Sequence, residues 1–184
     1  MRRQTVTRWT IAVVIFVILV IGAMLFIFFN SQEDAAQSSS KSSFLANLMV
    51  RIFLPKEPDA AMLSQFESNL REAAHFFEFF ILGALTASLV VILTHFNKKR
   101  WPFLLIGYAG CVAYAVTDEW HQNFVPGRVA DWKDVLIDSM GSLAGTLLAA
   151  GILLTVVLRI VYGWKRKREE NAQDGHNDNC SAPN

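Results

Sequence analysis

The chain is written in long apolar blocks separated by short polar ones, unlike the closely alternating pattern of a soluble helical core. Residues 9–29 hold no charged side chain, and these 21 positions at about 1.5 Å each cover a hydrocarbon core of about 30 Å. A cleaved signal peptide would also follow Arg2, Arg3 and Arg8, but its apolar region runs to only about 7–15 residues, so an uncleaved first span is expected. A second block, 73–96, is interrupted near its start by His75 and Glu78 and closed by Lys98, Lys99 and Arg100. A shorter third block covers 101–117. A fourth, 135–161, carries Asp138 near its beginning and is followed by Lys165, Arg166, Lys167 and Arg168. The pattern predicts an all-α membrane protein, a bundle of four transmembrane helices.

Between the first two spans, a Ser-rich linker at 38–43 leads into Phe44, Leu45, Leu48, Met49, Ile52 and Phe53 at helical spacing. That stripe predicts an outer amphipathic helix lying on the membrane surface or over the bundle. Pro55 and Pro58 break it, and Met62, Leu63, Phe66 and Leu70 begin a new helical stripe that can run directly into the second span. The expected organisation is a transmembrane anchor at 1–30, an extracytoplasmic linker and amphipathic helix at 31–70, a three-helix core at 71–163 and a disordered tail at 164–184.

Charge sets the orientation. If the helices alternate, eleven of the 17 basic residues fall on the side of the chain termini, and the six on the other side include four spread along the long 30–70 connection and the start of the second span. By the positive-inside rule both termini are cytoplasmic. Composition agrees with the membrane reading: 53% of residues are hydrophobic and 18% charged, too apolar for a disordered chain. A net charge of +1 supplies no field for nucleic acid, so none is expected as a partner. Two cysteines, Cys111 and Cys180, offer neither a disulfide framework nor a thiolate zinc site.

Polar residues then stand where they are expensive. Arg71, His75 and Glu78 share one helical face at the outer end of the second span. Asp118, Glu119, His121 and Gln122 close the third, Arg128 follows the turn Val125-Pro126-Gly127, and Asp134 and Asp138 share a face at the outer end of the fourth. An orientation assigned from Lys and Arg alone delivers all of them to one membrane side. A charged residue within the hydrocarbon costs roughly 2.5–3.5 kcal/mol and usually faces a bundle interior or a wet cavity. The competing explanation is a set of interfacial salt bridges framed by Trp120, Phe124 and Trp132. Gly141 and Gly145 form a G-x-x-x-G on the face of Asp134 and Asp138, which predicts close helix packing that orients the two aspartates.

Arg71-Glu72-Ala73-Ala74-His75-Phe76-Phe77-Glu78-Phe79, followed by Asp118-Glu119-Trp120-His121-Gln122-Asn123-Phe124-Val125-Pro126-Gly127-Arg128 and Asp134-Val135-Leu136-Ile137-Asp138-Ser139-Met140-Gly141, resembles the VanZ-like family of bacterial membrane proteins over about residues 44–160. Glu72 stands where that family usually has lysine, reversing a charge beside Arg71, and Phe79 where tyrosine is common. The family takes its name from a member associated with low-level teicoplanin resistance. The resemblance implies a multi-pass protein of a bacterial cell membrane with a cell-envelope role.

Three functions are open on these residues. In the first, Arg71, His75, Gln122 and Arg128 bind a lipid headgroup, or a lipid-linked or glycopeptide ligand, without turnover. In the second, His75, Glu78, Asp118 or Glu119 are catalytic acids or bases acting on a lipid-linked substrate. The third is a small transporter, disfavoured because the polar groups sit in one leaflet. No motif calls for a cofactor or metal; a divalent ion on His75, Glu78 and Glu119 is a lesser alternative to salt bridging.

Overall fold

The computed structural model describes residues 2–32, 48, 59–94, 101–128, 130–153, 155 and 159. They form four long helices and, among the described residues, no strand. The helices are α1 (Arg2–Ser31), α2 (Ala60–Leu93), α3 (Trp101–Gln122) and α4 (Trp132–Leu153). By length and composition α1 (from Trp9), α2 and α4 are each apolar enough to cross a membrane. The expected surface helix, Leu48 apart, lies outside the described residues, as do the Ser-rich linker, the 98–100 basic cluster and the tail.

The four expected apolar blocks each fall on one helix, three of these helices being long and apolar enough to cross a membrane, and the far end of the fourth block lies outside the described residues. α2 begins well before residue 73, because Asp59 caps it: the Asp59 carboxylate accepts from the Met62 N–H at 2.7 Å, and the stripe from Met62 to Leu70 continues without a break into the apolar block. Its 34 residues make a rod of about 51 Å, longer than a hydrocarbon core of about 30 Å. α3 runs on through Asp118–Gln122, which keeps those polar side chains in helical register instead of releasing them into a loop. It ends at a tight turn in which the Arg128 N–H bonds to the Val125 carbonyl at 3.2 Å. Pro126 takes the second position and Gly127 the third with φ of 78°, a conformation that L side chains rarely adopt and that a type II turn requires there.

Two apolar clusters hold the helices together. Ile27, Phe79, Leu82, Cys111 and Ala115 join α1, α2 and α3, while Ala87, Val91 and Leu104 join α2 and α3 with Ala149, Ala150 and Leu153 of α4 packed on them. The α2–α4 contact is closest. A Cβ at Gly141 would collide with the Phe76 carbonyl, one at Gly145 with the Phe80 carbonyl, and one at Gly83 with the Ser142 carbonyl. Small residues on both partners therefore let the two backbones touch, and Thr146 Oγ1 donates to the Gly83 carbonyl at 3.3 Å. Most of α1 presents large apolar side chains outward, among them Ile11, Ile15, Ile18, Leu25 and Phe26. A surface of that character suits lipid rather than water.

Candidate functional site

Antiparallel packing brings the end of α1, the first half of α2, the end of α3 and the start of α4 to one end of the bundle. The polar side chains named from the sequence meet there. His75, Asp118 and Asp138 come from three different helices, and one ligand atom of each lies within 4.8 Å of the others. Asp138 is only 1% exposed, although it stands on a helix whose outward face is Leu136, Met140 and Leu143. The glycine-mediated approach of α4 to α2 carries it inward, since Gly141 and Gly145 follow it at one and two turns.

The neighbours of this trio are partly tied down. Asp118 Oδ2 accepts from Ser31 Oγ at 2.7 Å and from Gln122 Nε2 at 3.4 Å. Glu78 Oε1 accepts from Asn30 Nδ2 at 2.7 Å, and Glu119 Oε1 from the Asp131 N–H at 2.6 Å. The last bond fastens the start of α4 to the end of α3, and the Asp131 carboxylate accepts in turn from the Lys133 N–H at 3.0 Å, capping α4. Tyr114 O–H donates to the Met24 carbonyl at 2.6 Å, and the His121 ring lies 4.9 Å from that of Phe28, so α1 is joined to α3 twice more.

Glu78, Asp118, Glu119 and Asp138 each still have a vacant oxygen. Glu78 Oε2, Asp118 Oδ1, Glu119 Oε2 and Asp138 Oδ1 are buried without a hydrogen-bond partner, and so are His75 Nδ1 and His121 Nδ1. Buried polar atoms are nearly always paired, so orphans concentrated at one end point to a ligand or to stored strain. If both were ionised, Asp118 and Asp138, with ligand atoms no more than 4.8 Å apart, would repel by about 3.5 kcal/mol at an effective dielectric of about 20. Among the described residues no arginine or lysine bonds to them. Arg71 is exposed and Arg128 half-buried, and both reach His75 only through their fields. Asp134, also half-buried, acts on His75 and Asp138 in the same way.

The sequence pattern thus named most of the cluster, with different groupings inside it. Of His75, Glu78 and Glu119, the less favoured metal set, only His75 belongs to the tight trio; the two glutamates each spend an oxygen on Asn30 or on the Asp131 backbone. Asn30 and Ser31 went unnoticed because they read as the end of an anchor. Their signal was available: two hydrogen-bonding residues directly after an uncharged span, on the side to which every other polar group was assigned.

Comparison with curated proteins and with solved structures returns no match. Residues 16–158 match the VanZ/LLP1 family, a stretch that takes in the second half of α1, the whole of α2, α3 and α4, and every member of the cluster. The chain belongs to the VanZ/LLP1 family of proteins.

Proposed function

We propose that the chain crosses a bacterial cell membrane four times with both termini cytoplasmic, and that its polar end faces outward and binds the anionic headgroup of a lipid or lipid-linked envelope ligand. The observation that carries this reading is the convergence of His75, Glu78, Asp118, Glu119 and Asp138 from three helices, with buried atoms left unpaired, at the end that basic-residue placement puts outside. Arg71, Arg128 and Lys133 lie at the same end and supply charge for a phosphate. An apolar groove of about 420 Å³ between α1 and α2, lined by Ile18, Gly22, Phe26 and Ile81, runs up to Glu78. It suits an acyl chain whose headgroup rests on the cluster. The link to teicoplanin-type resistance rests on the family alone. Turnover is the second reading, favoured by the unpartnered Nδ1 of His75 beside two aspartates. Transport is less well supported, because among the described residues the core at the other end of the bundle is an apolar cluster of Ala87, Val91 and Leu104.

Native mass spectrometry of protein extracted from phosphatidylglycerol vesicles tests the binding. The wild type is expected to retain the lipid, and Arg128→Ala to lose it at least about 10-fold with helix content intact, the worth of one charged contact. Glu119→Gln keeps the oxygen that accepts from Asp131 and removes only charge, so it should fold and alter retention. Equal lipid content in all three proteins, with lower melting temperatures in the variants, would mean that these residues are structural.

A further inference from the structure

We propose that His75, Asp118 and Asp138 hold a divalent transition cation of the zinc class, an inference that rests on reading this end of the bundle as a ligand site. The donor set is one imidazole and two carboxylates from three helices, the three-ligand arrangement that leaves a coordination position open. A tetrahedral ion about 2.1 Å from each donor needs donors roughly 3.4 Å apart, and atoms already within 4.8 Å reach that by movements of under about 1 Å.

A second observation on Asp138 is independent of this spacing. It is 1% exposed, its Oδ1 has no partner, and no hydrogen bond or ion pair supports its carboxylate among the described residues. Asp118 likewise commits Oδ2 to Ser31 and Gln122 and leaves Oδ1 vacant, while His75 leaves Nδ1 vacant. Each of the three therefore keeps an uncommitted atom of the kind a metal takes, and Ser31 and Gln122 fix the Asp118 carboxylate in the way second-layer hydrogen bonds orient metal ligands. Arginine or lysine would neutralise the pair as well, yet among the described residues none bonds there. A bound cation does so and leaves its open position for a headgroup phosphate, which would otherwise meet a wall of carboxylates.

The test uses the full chain in detergent, stripped with a chelator and then given Zn²⁺ or Co²⁺ alone. One Zn²⁺ per chain by elemental analysis is expected, together with the intense visible absorption of low-coordinate Co²⁺. Asp138→Asn and His75→Gln, each checked for folding by its circular-dichroism melt, should weaken binding by at least about 100-fold. Val91→Ala, at the other end, should bind as the wild type does. Failure of the folded wild type to hold either ion, or binding that both site variants leave untouched, overturns the assignment. Adding phosphatidylglycerol vesicles separates the two readings. Lipid retained by a folded wild type that holds neither ion defeats the cation and keeps the headgroup site, whereas Zn²⁺ bound with no lipid retained under either condition keeps the cation and defeats the headgroup.

Discussion

At one end of the bundle α2 and α3 bury Ala87, Val91 and Leu104 with α4 packed over them; at the other the same helices bury Asp118 and Glu119 and half-bury His75, and α4 adds the buried Asp138. The backbone geometry is common to both ends, so the difference lies in what the side chains still need. The apolar end is complete as it stands. The polar end has its carboxylates half-satisfied by Asn30, Ser31 and the Asp131 N–H and leaves buried atoms vacant. A structural network would have spent those atoms on arginine or amide donors. Leaving them open in a membrane bundle costs stability, which is what sites for ligands characteristically do.

The largest expected effect breaks both ends at once. Gly145→Val places a side chain on the Phe80 carbonyl, so α4 must leave α2. The cost should exceed the usual 1–3 kcal/mol of overpacking, and the purified protein should show no cooperative melt. Leu104→Ala damages only the apolar end. Lipid removes much of the transfer penalty for an exposed apolar surface, so a loss of about 2 kcal/mol is expected, at the low end for such truncations, with lipid and Zn²⁺ binding unchanged. Ser31→Ala touches only the polar end: it strips one donor from Asp118 and should cost about 1–2 kcal/mol while weakening ligand retention, the opposite pairing of effects. The smallest is Gly127→Ala. A methyl at φ of 78° should cost about 1 kcal/mol, loosen the turn that carries Arg128 and reduce headgroup retention severalfold in the mass-spectrometric assay.

Much of this arrangement was legible in the chain. Apolar blocks marked the helices, and the Asp59 cap with the Met62-to-Leu70 stripe explains why α2 extends as one rod where the blocks alone suggest a later start. The spacing of His75 and Glu78, and of Asp134 and Asp138, puts those residues at the shared polar end because helical period and helix order decide that, while Arg71 on the same stripe is exposed. What periodicity does not carry is which atoms meet across helices. Gly83 looks like any helical glycine until Ser142 lies against it, and Glu119 looks like another site acid until its oxygen is seen to hold the start of α4. Asn30 and Ser31 are the same kind of omission: their partners are 48 and 87 residues away, and only packing identifies them.

The central claim is that the acidic end exists for a ligand. Its most direct test compares the melting temperatures of the wild type and Asp138→Asn in detergent after chelation, then with Zn²⁺ and phosphatidylglycerol added. The account predicts that the stripped variant melts no lower than the wild type, because the carboxyl it replaces is buried and makes no hydrogen bond or ion pair among the described residues, and that added ligand raises the melting temperature of the wild type alone. A stripped variant that melts several degrees lower, in a protein whose wild type gains nothing from either ligand, would contradict it and make Asp138 a structural residue.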